Sequence, residues 1–167
     1  MHDELTEVDI KKMQEEIDMR TLELTPKLKA DLQHARELGD LSENDEYRSA
    51  KRELNRNYGR IRYLKQMIET AIVIKDESAD DTIGLFDKVT LYYEEDDEEQ
   101  VVVIVTTLRN DVLNNYISKE SPFGKALLGH KVGDRVKIDA SETYSYYVVI
   151  RKIEKGNDDE SLEISAY

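Results

Sequence analysis

The chain has 167 residues, with 24 Lys and Arg against 37 Asp and Glu, a formal net charge of −13, no Cys, no Trp and 10 Tyr. Its 39% hydrophobic content, its periodicity and the lack of an apolar run near the ~20 residues of a membrane helix fit a soluble folded protein of one or two small domains, not a membrane or disordered one. Zero cysteines exclude disulfides, thiolate metal sites and a cysteine nucleophile, and the first residues lack the basic and apolar regions of a secretion signal, so a cytoplasmic location is expected.

The first long element covers residues 6–38. Ile10, Met13, Ile17, Leu24, Leu28, Ala35 and Leu38 recur at helical spacing with charges between them. Thr25 and Pro26 suggest an N-cap followed by proline in a first helical turn, hence a kink or restart. Residues 43–74 repeat the amphipathic pattern with Tyr47, Leu54, Tyr58, Ile61, Leu64 and Ile68 on one face. Two such helices joined around Gly39 to Ser42 bury their stripes by folding back as an antiparallel pair. Each arm of roughly 32 residues spans about 48 Å at about 1.5 Å per residue, which puts the connecting loop at the far end of a rod.

After Ile74 the composition changes. Residues 75–84 are polar and acidic and read as a linker. Strand-like runs follow at Lys88 to Glu94, Val101 to Leu108, Arg135 to Ile138 and Tyr144 to Ile153, with the acidic Glu94 to Glu99 as a hairpin turn. Alternation in Val89-Thr90-Leu91 and Val136-Lys137-Ile138 predicts an antiparallel sheet with one solvated face. Ser121 to Gly129 reads as a short helix opened by Pro122 and closed by Gly129. The acidic tail from Lys155 is expected to fray or to add an edge strand.

Charge is unevenly spread. Residues 1–75 carry 14 basic and 16 acidic side chains, residues 76–167 carry 10 and 21. At the turn between the helices, residues 37–46 hold five acids and no base, while residues 47–66 hold seven bases and the single acid Glu53. The total of −13 argues against simple adhesion to nucleic acid. An acidic spot nevertheless adjoins a basic stretch.

His2, His34 and His130 lie far apart, and no phosphate loop or Ser/His/Asp grouping is present, so a self-contained hydrolase is not expected. Carboxylates remain, above all Asp40 and Glu43. Mg²⁺ prefers oxygen ligands and often takes only one or two from a protein. The same residues fit capping: Asp40 to Glu43 and Ser42 to Asp45 are each possible capping boxes. If Ser42 caps, Asp40 and Glu43 stay free for a metal. Arg48, Arg52, Arg56 and Arg60 recur every four residues, with Lys51 beside them, as a slowly spiralling row: either a solvated face or a track for a phosphate backbone. Tyr47 and Tyr58 fall on the apolar stripe and read as core.

The run Ala35-Arg36-Glu37-Leu38-Gly39-Asp40-Leu41-Ser42-Glu43-Asn44-Asp45-Glu46-Tyr47-Arg48-Ser49-Ala50-Lys51 closely resembles the signature of the GreA/GreB bacterial transcript cleavage factors. A second block, Ile117 to Gly129 followed by Val132-Gly133-Asp134, resembles that family's C-terminal signature.

The resemblance implies an α+β protein: an N-terminal antiparallel coiled-coil hairpin (1–75), a linker (76–84) and a C-terminal FKBP-like antiparallel β-sheet domain with a short helix (85–167). It implies an accessory factor, not an enzyme, whose C-terminal domain docks at the rim of the RNA polymerase secondary channel, with Ser121, Pro122 and Phe123 as docking residues. The hairpin tip then stimulates the polymerase's Mg-dependent cleavage of backtracked nascent RNA. Carried over by motif, Asp40 and Glu43 share a Mg²⁺ with polymerase, no cofactor being held stably by the protein alone, and Arg48, Lys51 and Arg52, with Arg56 added from the row, contact the RNA 3′ segment. A working monomer with no membrane partner is expected.

Some positions depart from the family pattern. Leu38 stands where a polar residue is usual and Asp45 where a small one is, Phe86 replaces a glycine, and Arg109-Asn110-Asp111 replaces a more acidic triplet, which points to an altered docking surface. Retention of both tip acids favours cleavage. Asp45 favours a channel-binding regulator that modulates or inhibits polymerase without cleavage. From another class, a coiled-coil adaptor with a protein-binding module would give the tip acids no special role.

Overall fold

The computed structural model describes residues 2–39, 44–158 and 160–166. It divides into two compact units, residues 10–71 and residues 1–9 with 72–167. None of its helices is long and apolar enough to cross a membrane, among the described residues.

The first unit is a helical hairpin. Helix α1 (Glu7–Met19) passes through a π-helical segment (Arg20–Leu24) into α2 (Thr25–Arg36), and α3 (Asp45–Thr70) returns. Pairings of Ala35 with Asn44, Thr25 with Asn57 and Glu16 with Arg60 fix the arms as antiparallel. Leu54 and Leu64 are buried on α3, as are Met13 and Ile17 on α1.

Thr25 is no N-cap. Leu24 and Thr25 keep right-handed helical dihedrals, and the Thr25 N–H donates to the carbonyl of Arg20, five residues back. Pro26 lacks an N–H, so the ladder would miss a bond there in any case; the chain accommodates it with one wide turn instead of a break.

The second unit is built on a five-stranded sheet in the order β5-β4-β3-β7-β6, from β3 (Lys88–Tyr93), β4 (Glu98–Val105), β5 (Tyr116–Ser118), β6 (Arg135–Asp139) and β7 (Ser145–Glu154). Alternate residues Val89, Leu91, Val102, Ile104, Val136, Ile138, Val148 and Ile150 form the core on one face. Helix α4 (Pro122–Leu127) adds the fully buried Leu127. The expected antiparallel pattern holds for four strands. The sheet is mixed, because β5 runs parallel to β4.

Three differences bear on function. Residues 4–5 (β1, Glu4–Leu5) pair in parallel with β2 (Ile72–Val73), so the chain's first residues belong to the sheet unit, where the sequence reading put the boundary at residue 75. The stretch 76–84 is pinned: buried Asp87 accepts from the Gly84 N–H, and the Lys155 ammonium reaches Ser78, the carbonyls of Ala79 and Thr82, and Asp87. The tail neither frays nor forms a strand over its described residues. Asp158 pairs with Arg109, and the Ser165 N–H donates to the Leu108 carbonyl at 2.7 Å.

Candidate functional site

The N-cap of α3 is Asn44, neither Asp40 nor Ser42. Its backbone is extended, and its side-chain carbonyl accepts from the Tyr47 N–H at 3.1 Å. Its amide also donates to the Ala35 carbonyl at 2.7 Å, which ties the end of α2 to the start of α3. One residue thus serves a donor at the start of α3 and an acceptor at the end of α2. The expected site residues Asp40 and Glu43, with Ser42, lie outside the described residues, in the segment that precedes this cap. The sequence carried a signal for it: Asn is among the best N-cap residues and stands directly before an acidic first turn, Asp45-Glu46.

Arg48, Lys51, Arg52 and Arg56 are all exposed on the N-terminal half of α3. Arg48 lies 3.8 Å from Asp45 and Arg56 lies 3.7 Å from Glu53, exposed pairs that screening makes weak. Asp45 itself is 94% exposed in its side chain.

Arg60, the fourth member of the row by spacing, is buried. Its guanidinium makes hydrogen bonds of 2.8 and 3.1 Å to the two oxygens of Glu16, which also accepts from Arg20 at 2.9 Å. Arg20 continues to Asn57, and Asn57 donates to the Thr25 hydroxyl, which donates to the Arg20 carbonyl beside the Thr25 N–H of the π turn. Burial pushes the Glu16 carboxyl up, but hydrogen bonds and charge from Arg60 and Arg20 outweigh it and hold it below its ordinary value. Spacing alone could not separate Arg60 from Arg48, Arg52 and Arg56. The 40° drift per four residues carries the row from solvent into the seam between the arms.

In the second unit, the Ser121-Pro122-Phe123-Gly124 run has a local logic. The Ser121 hydroxyl caps α4 by accepting from the Gly124 N–H at 3.0 Å, and Pro122 sits in the first turn, where no N–H is needed. Gly124 is required because a Cβ there would meet the Ser118 carbonyl oxygen at 2.2 Å. Ser121, Pro122 and Phe123 come together along one side of an apolar groove of about 420 Å³ that also includes Val102, Ile117 and Ile138.

Arg109 is not a surface residue. It is fully buried, 2.8 Å from Asp9 and 2.8 Å from Asp158, with its guanidinium 5.6 Å from the centre of the Phe86 ring. Asp9 also accepts from the Thr6 N–H in a reciprocal capping box at the start of α1. Arg109 therefore acts as an internal bolt between chain start, sheet unit and tail. Phe86 has φ +64°, the left-handed region that glycine enters freely, so the backbone there keeps a glycine-like conformation under a phenylalanine.

Residues 4–73 match the family model described as transcription elongation factor, N-terminal, and residues 71–155 the one described as transcription elongation factor, GreA/GreB, C-term. The chain is 40% identical over 152 residues to transcription elongation factor GreA of Oenococcus oeni, covering 90% of this chain and 94% of that protein. It is 36% identical over 151 residues to the GreA of Thermotoga maritima, covering 90% and 97%. Among solved structures, the GreA factor homolog 1 (Gfh1) protein of Thermus thermophilus aligns with a TM-score of 0.42 at 27% identity, over 93% of this chain and 100% of that one. With both family models matched in order over residues 4–155, and with relatives of this identity spanning nearly the whole sequence, the chain belongs to the GreA/GreB family of transcription elongation factors.

Proposed function

We propose that this elongation factor binds RNA polymerase through its C-terminal domain, inserts the hairpin tip into the secondary channel and stimulates the polymerase's cleavage of backtracked nascent RNA. The observation that carries the reading is the Asn44 cap. Asn44 holds the N-cap position of α3 and accepts from the Tyr47 N–H, and in this reading the carboxylates of Asp40 and Glu43 are left to other chemistry. The exposed Arg48, Lys51, Arg52 and Arg56 follow directly, in position to hold phosphates of a single strand brought to the tip.

The donor chemistry fits Mg²⁺. Asp40 and Glu43 are two hard oxygen ligands, an incomplete set of the kind this ion accepts when water and a partner complete its shell. In this reading the protein alone holds no ion stably, and the Mg²⁺ is shared with the polymerase at the tip. When bound, it supplies a more acidic coordinated water and stabilises charge on the phosphate. Asp40 and Glu43 hold and orient it; the basic residues steady the extruded RNA. The protein is then a cytoplasmic, monomeric accessory factor, and the cleaving active site is the polymerase's.

Asp45 favours a second reading, a channel-bound regulator without cleavage, since its exposed carboxylate adds negative charge beside the tip acids. A nuclease-free assay on a stalled, backtracked complex with 3′-proximal labelled RNA separates the two. Shortening by the wild type in Mg²⁺, lost in Asp40→Ala and in Glu43→Ala while binding persists, supports cleavage. Binding with no shortening supports the regulator. Absence of binding rejects both.

A further inference from the structure

We propose that the sheet unit carries a recognition notch for a cationic side chain, Arg or Lys, of a protein partner, formed by Tyr93, Tyr144, Tyr146 and Tyr147 with Glu95 and Asp96. These six residues line a cavity of about 130 Å³. At a water's share of about 30 Å³, that is room for roughly four heavy atoms, the size of a guanidinium head. The rings of Tyr93 and Tyr146 stack with centres 6.1 Å apart, and Tyr144 leans on Tyr146 at 5.8 Å. The Tyr144 hydroxyl donates to Glu95 at 2.5 Å, which holds a carboxylate at the notch. Aromatic faces backed by carboxylates attract organic cations through the ring quadrupole and by direct charge.

The neighbouring strands β3, β6 and β7 show this chemistry twice within the chain. The guanidinium of Arg135 lies 3.6 Å from the centre of the Tyr147 ring and makes paired hydrogen bonds of 2.7 and 2.8 Å to Glu94. Arg151 lies 4.7 Å from the Tyr92 ring, whose hydroxyl donates to Asp97. The notch repeats the ingredients; Arg135 covers one face of Tyr147, and no basic residue is among those that line the notch itself. A bare metal ion suits it poorly, because two carboxylates are joined there by neutral phenols. Burial, then the neighbouring Tyr146, pushes the Tyr93 phenol up to about 12. Hydrogen bonding to Glu95 leads the causes that raise Tyr144. The negative charge of Glu95 and Asp96, among the causes that raise the Tyr144 phenol, is what favours a cation at the notch.

Tyr93 and Tyr146 also line the apolar groove that holds Ser121, Pro122 and Phe123. The occupant fitted to both is a protein segment with an aliphatic side chain beside an Arg or Lys. The proposal deepens the docking reading above and rests on it for the partner's class, while the chemistry of the notch is testable without polymerase.

The test is an aromatic ¹H–¹³C titration of the full chain, tyrosine-labelled, with acetyl-Leu-Arg-amide, its neutral counterpart acetyl-Leu-citrulline-amide, and Mg²⁺ alone. The Arg probe is expected to shift Tyr93, Tyr144, Tyr146 and Tyr147 saturably, and the citrulline probe to bind about fivefold more weakly. The combined Glu95→Gln and Asp96→Asn variant, whose Tyr93 and Tyr146 signals report intact folding in the same sample, is expected to lose that preference. Equal binding of the two peptides, the same shifts with Mg²⁺ alone, or an unchanged preference in the variant overturns the proposal. Such a failure leaves the docking reading standing. A Phe123→Ala chain that still binds the Arg probe but no longer binds polymerase points the other way, to a working notch and a separate docking contact.

Discussion

The side-chain amide of Asn44 donates to the carbonyl of Ala35 at 2.7 Å, so the last turn of one arm and the first turn of the other are held by a single residue. Its carbonyl simultaneously caps α3 through the Tyr47 N–H. Asn44, which follows the two proposed site carboxylates in sequence, thus joins the two arms and takes no part in the proposed chemistry.

Replacing Asn44 with Ala removes both bonds. The missing cap costs about 0.5–2 kcal/mol and the missing bond to Ala35 about 1 kcal/mol. Asn44→Asp keeps the acceptor for Tyr47 but not the donor, and is expected to lose less. Thermal unfolding followed by circular dichroism checks the order wild type, Asn44→Asp, Asn44→Ala. Stimulated cleavage is expected to fall in the same order although Asp40 and Glu43 are untouched.

The exposed basic residues and the buried one have opposite signatures. Reversing Arg52 and Arg56 to Glu leaves stability nearly unchanged. It weakens cleavage and flattens its salt dependence, by roughly 0.7 in log–log slope for each phosphate of the single strand that is no longer neutralised. An unchanged slope makes these side chains a solvated face. Arg60→Met, by contrast, is expected to act on stability first, because it leaves the carboxyl of Glu16 in the seam without its two-bond partner.

The Glu16 network makes the hairpin acid-sensitive. A carboxyl held below its ordinary value of 4.5 contributes stability that is complete above the unfolded value and is lost as pH falls through the lower folded one. Glu16→Gln is expected to cost about 1.5–3 kcal/mol at pH 7, in line with hydrogen bonds to charged groups. The gap from wild type then narrows below about pH 4.5. Urea unfolding at pH 7, 4.5 and 3 measures it; a gap independent of pH means that the ion pair contributes nothing.

Phe86 offers an inverted substitution series. At φ +64° a side chain is strained, while the ring gains a cation–π interaction with Arg109. Phe86→Ala loses the ring and keeps the strain, whereas Phe86→Gly loses the ring and relieves it. Phe86→Gly is therefore expected to be the more stable of the two by about 1 kcal/mol, although glycine for alanine ordinarily destabilises. Denaturant midpoints of the two variants decide the sign.

The helical hairpin, the four antiparallel strands and the Ser121-Pro122 helix start were legible in the sequence, because each rests on local periodicity or on capping chemistry within a few residues. The acidic tip and the basic stretch behind it were legible as charge. What only the tertiary structure decided depends on partners distant in the chain. Arg60 leaves the exposed row because Glu16 waits 44 residues away, and Arg109 leaves the surface because Asp9 and Asp158 enclose it. Residues 4–5 find strand partners only at 72–73, where an antiparallel hairpin returns the chain to its own start. The parallel strand β5 is too short to declare itself and exists through its pairing with β4. Local rules set where the backbone turns and coils; which charges are spent inside the fold, and which remain to meet another molecule, is settled by the long-range contacts that bury one arginine and leave its neighbour in water.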